Sequence, residues 1–263
     1  MVGLTSALAV LGFPLDRRAR APVVWSLALA GAAVAWAVTV RVAWGMGNGP
    51  GTMGMGLAAF MPVWLAMIAA MMLPAVAPVA SLYLRGVRMQ STGAPRVFRV
   101  SALVTGYLGV WTAFGVAAFA AALGSERLAD AAPRVAPWVG AAILAMAGLY
   151  QLTPLKDRCL RHCRSPLGLL LHLGNYSGRL RDLRAGLAHG SFCVGCCWAL
   201  MAVLIAVGVM NVAWMAALAA LVFLEKTWRY GKALGVAAGV GLVVLALLVP
   251  SHPGFVPGLH TGM

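Results

Sequence analysis

Residues 185–224 read AGLAHGSFCVGCCWALMAVLIAVGVMNVAWMAALAALVFL, with no Asp, Glu, Lys or Arg between Arg184 and Glu225. As a single helix this stretch would extend about 60 Å, twice the hydrocarbon thickness of a bilayer. Gly208-Val209-Met210-Asn211 lies near its middle, and Gly and Asn favour tight turns. Folded there, the stretch becomes two antiparallel apolar helices, 187–209 and 211–225. Five more apolar runs flank it at 23–44, 57–84, 98–123, 135–153 and 233–250. The expected fold is therefore all-α: a polytopic membrane helix bundle of about seven transmembrane helices.

Composition agrees. Of 263 residues, 62% are hydrophobic and 10% are charged, with mean hydropathy +0.89. Soluble domains carry about 25% charged residues. Ordinary soluble enzymes, disordered chains and disulfide scaffolds are excluded. The formal charge of +14 would suggest nucleic acid in a soluble protein. Here the basic residues lie between the apolar runs, so they set topology, and no nucleic-acid partner is expected. Seventeen of the 20 Lys and Arg residues fall on one side of the seven-span arrangement. That side is expected to be cytoplasmic. It holds the N-terminal segment 1–22, the 85–99 connection, a basic loop 154–186 and the 226–232 connection. The single bundle then covers 23–250, and the tail 251–263, with His252 and His260, is extracytoplasmic. Residues 1–22 do not read as a cleaved signal, because the Arg cluster follows the first apolar stretch. The Ala- and Gly-rich runs suit close helix packing in lipid, and no internal repeat is evident.

Several chemistries have no candidate residues. Asp16, Glu126, Asp130, Asp157 and Asp182 are expected in loops or tails. Glu225 and Lys226, at the end of the sixth span, read as a boundary pair that snorkels to the interface. The seventh span has no central Lys for a retinal Schiff base. Hydrolytic triads, phosphate-binding glycine loops and the Cys-x-x-Cys-His haem motif are missing.

Sulfur is the anomaly. The chain has 14 Met and 5 Cys, and all five Cys fall between 159 and 197. Cys159 and Cys163, with His162 beside them, lie four residues apart and share a helix face. His189, Cys193, Cys197 and Met201 step by four along a second helix, with Cys196 alongside. Thiol and thioether ligands favour Cu(I), and tetrahedral thiolates also suit zinc. Both groups fall near the cytoplasmic side, where thiols stay reduced. Sulfurs from both would have to approach within about 4–5 Å to share one metal. Met67, Met71 and Met72 descend the second span as further soft ligands, after Met46, Met53 and Met55 in a Gly-rich outer loop. Pro62, Pro74 and Pro78 are positioned to kink that span. Packing alone also accounts for Cys and Met in apolar helices. A membrane thiol-disulfide oxidoreductase using Cys193/Cys196 and Cys159/Cys163 is the second reading. An assembly or scaffold subunit with structural sulfur is the third.

The segments Met67-Ile68-Ala69-Ala70-Met71-Met72-Leu73-Pro74, Gln151-Leu152-Thr153-Pro154 running on to Cys159 and Cys163, and Cys193-Val194-Gly195-Cys196-Cys197-Trp198 together resemble a bacterial family of predicted metal-binding integral membrane proteins. One member of that family is a membrane copper chaperone that supplies a tyrosinase. The likeness extends over about residues 57–232. It implies copper delivery without enzymatic turnover, with the Met and Cys motifs as ligands. It also implies the lipid bilayer and a copper-dependent client protein as partners.

Overall fold

The computed structural model describes residues 21–46, 51–90, 94–164, 178, 180–255 and 259. The expected segment 1–22 lies almost wholly outside them, as do residues 165–177 of the basic loop and His260. Among the described residues eight α-helices follow in order: α1 (Ala21–Met46), α2 (Leu57–Gln90), α3 (Ala94–Ala131), α4 (Ala136–Gln151), α5 (Pro154–Arg164), α6 (Arg181–Val207), α7 (Val212–Thr227) and α8 (Gly231–Leu248). A 3-10 turn at Pro253–Phe255 follows, and no strand occurs among the described residues. The protein is an all-α bundle, rich in the Ala, Leu and Met that favour helix.

The expected turn in the uncharged stretch is present. Gly208, with φ of 95°, ends α6 in a conformation that L side chains rarely adopt. Asn211 then caps α7 by accepting from the Trp214 amide. Among the described residues five helices are individually long and apolar enough to cross a membrane, in α1, α2, α3, α6 and α8. The bent pair α4 and α5, meeting at 64°, makes a sixth if counted as one span. At 16 residues, α7 rises only about 24 Å, short of a 30 Å core. The count of seven thus rests on two short helices. Pro154 explains the bend at α4, since proline has no N–H to continue a helix but fits its first position. Proline does not break α2, which runs continuously through Pro62, Pro74 and Pro78.

The stretch 154–186 is not wholly loop. Residues 154–164 form α5, with Asp157 in the first turn and Arg161, His162 and Arg164 in the last, which complements the helix dipole. Helix α6 begins at Arg181, six residues before the apolar run. The acidic residues move accordingly. Glu126 and Asp130 lie in α3, Asp157 in α5 and Asp182 in the first turn of α6. Each helix extends past its apolar run, so charge alone misplaced its end.

Helix α6 is the hub, packed against α3, α4, α5 and α7. Its spanning segment is 61% buried, against 17% for α1, which packs mainly on α2. Gly106 of α3 and Gly186 of α6 allow the tightest crossing. A Cβ on either would collide with the other helix's backbone at Leu183 or Leu103. Such close contact between small residues is the packing that apolar helices use in lipid.

Candidate metal centre

Helix α5 packs over the middle of α6 and brings the two cysteine segments together. Cys163 Sγ lies 3.8 Å from Cys196 Sγ. Cys196 and Cys197 both turn their thiols to the Cys193 carbonyl, at 3.1 and 2.9 Å. Cys193 Sγ contacts the Tyr107 hydroxyl at 3.3 Å and the Lys226 ammonium at 3.2 Å. Cys163, Cys193, Cys196 and Cys197 are all buried, and all five cysteines are free thiols. Cys159 is half-buried over Gly195, where an added Cβ would come within 2.9 Å of its sulfur. The Tyr150 hydroxyl donates to the Gly195 carbonyl and ties α4 to the same point.

The other expected ligands divide. Met67, Met71, Met72 and Met201 are buried in the core that contains the thiols. Met72 Sδ reaches the site's edge, 4.0 Å from Lys226 Nζ. His189 is buried and stacks on Tyr107, which itself touches Cys193. His162 faces outward: its ring stacks on Phe192 at 4.1 Å, and Nδ1 lies 2.9 Å from the Arg158 carbonyl. The thiol contact runs between helices, Cys163 to Cys196, and not within the Cys159/Cys163 spacing that the redox reading used. Among the described residues, no three His, Cys, Asp or Glu side chains are arranged to hold a metal ion. The arrangement offers a thiol pair bordered by a thioether and an ammonium.

Glu225 and Lys226 do not snorkel. Glu225 Oε1 accepts from Lys156 Nζ at 2.5 Å and from Gln151 Nε2 at 3.1 Å. Glu225 and Lys156 are each 2% exposed, and Lys226 is 8% exposed. Gly235 of α8 makes room for this pair, since a Cβ there would lie 2.7 Å from Glu225 Oε1. Helix α7 packs on α2, α5, α6 and α8, so its last turn is covered. Lys156 is correspondingly no topology signal: it joins α5, which carries Cys163, to α7. A Glu-Lys pair closing a long uncharged stretch was the available clue. A further ionic group sits nearby in sequence, where Asp182 holds Arg99 Nε at 3.1 Å and the Tyr83 hydroxyl at 2.8 Å.

A family model described as "PpoB2: Copper chaperone" matches residues 61–249. No curated protein and no solved structure matches the chain. The matched region takes in α2 from Met61 through α8, and with it every residue of the thiol–ammonium arrangement. The chain belongs to the PpoB2 copper-chaperone family.

Proposed function

We propose that this protein is a membrane-embedded Cu(I) chaperone that holds copper by sulfur at the α5–α6–α7 end and passes it to a copper-dependent client. The observation that supports this best is the 3.8 Å approach of Cys163 and Cys196 sulfurs from two helices. With metal–sulfur bonds of about 2.3 Å, ligand sulfurs stand about 3.8–4.0 Å apart in tetrahedral or trigonal coordination. Thiolate and thioether favour Cu(I), and Met72 provides the thioether. The bilayer accounts for the long apolar helices. The positive-inside rule puts this end of the bundle at the cytoplasmic face of a bacterial inner membrane, with the N-terminus inside and the tail outside. The protein binds and hands on the ion without making or breaking a substrate bond.

The test is Cu(I) stoichiometry on detergent-purified, reduced protein under competition from a chelator. Wild type retains copper, and Cys163→Ser with Cys196→Ser loses it while remaining folded, because oxygen is a poor donor to Cu(I). Equal copper in both would remove this pair from the reading. The thiol-oxidoreductase reading draws on the same contact, since two thiols at this distance can oxidise with little movement. It predicts instead a Cys163–Cys196 disulfide in cells and no retained copper. Zinc binding would show as Zn²⁺ displacing Cu(I) at matched chelator strength.

A further inference from the structure

Lys226 is a buried cation whose neighbours are sulfur. Its ammonium lies 3.2 Å from Cys193 Sγ and 4.0 Å from Met72 Sδ. Among the described residues no carboxylate forms a salt bridge with it, and the adjacent Glu225 is turned to Lys156. Isolated charge in an apolar interior is costly and persists only where something compensates it. Neither the topology nor the packing of α7 explains an ammonium directed at thiols. We propose that Lys226 is the charge-selecting residue of the sulfur site and restricts it to monovalent soft cations.

The inference rests on the proposed sulfur site and adds to it the class of ion admitted. Softness alone does not exclude Cd²⁺ or Zn²⁺ from a thiol pair. Charge does. With Cys193 kept as a neutral thiol hydrogen-bonded to the Tyr107 hydroxyl, the Cys163 and Cys196 thiolates, one ammonium and one monovalent metal ion sum to zero. A divalent ion in the same place leaves one positive charge with no counter-ion. In a buried site an unpaired charge is strongly unfavourable, whereas in water it would be screened. The two thiol protons leave to solvent as the metal enters, since thiolate is the ligand form. Lys226 need not touch the metal; it fixes the charge that the metal must supply. The hydrogen bond to Cys193 also orients a thiol next to Cys196 and Cys197 in the helix.

The experiment compares Ag(I) with Cd(II), two soft ions of different charge and fixed oxidation state, on full-length protein in detergent. Affinities are measured by competition for wild type, Lys226→Gln, Lys226→Leu and Lys226→Arg. Wild type prefers Ag(I). Either neutral variant shifts the Ag(I)/Cd(II) preference toward Cd(II) by about tenfold or more, the scale of one close buried charge pair. Lys226→Arg keeps the charge and the wild-type preference. An unchanged ratio in a folded neutral variant overturns the inference while leaving the sulfur site standing. Wild type that binds no Ag(I) overturns both. Two neutral side chains, one polar and one apolar, provide for the case in which one fails to fold.

Discussion

The two ends of the bundle hold their polar groups in opposite ways. At one end, Glu126 of α3 accepts from the Thr52 amide at 3.2 Å and hydroxyl at 3.0 Å, closing the turn that precedes α2. The partners are neutral and oxygen- or nitrogen-based, and the group borders a cavity of about 350 Å³ that includes Met55 and Asp130. At the other end, Lys156 and Glu225 form an enclosed ion pair, and Lys226 contacts Cys193, one of four buried thiols. Local hydrogen bonds suffice to shape a turn. Full charges under cover are expensive, and their presence beside sulfur is what supports the proposed metal site at this end.

That contrast gives a ranked set of tests. Glu225→Gln leaves Lys156 buried without its counter-charge and should cost about 3–5 kcal/mol, as one-sided removal of a buried pair does. Lys156→Met with Glu225→Leu should recover most of the loss, because the charge is removed from both sides. Denaturation in detergent measures both. Glu126→Gln should cost only about 1–2 kcal/mol, since the one acceptor of two hydrogen bonds from uncharged donors is weakened. Equal losses at the two ends would erase the distinction. The smallest effect is expected from Met71→Leu with Met72→Leu. Bulk is kept, so stability should change by less than about 1.5 kcal/mol. Copper stoichiometry should persist while loading slows, as read by time-resolved transfer from a Cu(I) donor.

The fold was legible where periodicity and punctuation agree. An uncharged stretch too long for one span, with Gly208 and Asn211 near its centre, required the α6–α7 turn, and the turn is there. The meeting of Cys163 and Cys196 could be posed from sequence as a distance, though only the fold of α5 over α6 could satisfy it. Helix ends were less legible, because Asp157, Asp182 and Glu126 were assigned to loops on charge. In the folded chain each is held by a partner: Lys232 for Asp157 at 2.7 Å, Arg99 for Asp182, and Thr52 for Glu126. Those pairings join residues far apart in sequence, which a linear reading of hydropathy does not see. The same holds for Lys156 and Lys226, counted by sign alone among the loop charges. His162 carries the converse lesson: adjacency to Cys163 placed it among the ligands, while its helical direction aims it at Phe192.

X-ray absorption at the copper edge tests the central claim most directly. Reduced, Cu(I)-loaded wild type should show a first shell of two or three sulfurs at about 2.3 Å, and Cys163→Ser should lose one of them. A shell of nitrogen and oxygen alone, or a sulfur count that the substitution leaves unchanged, would contradict copper binding at the α5–α6 contact.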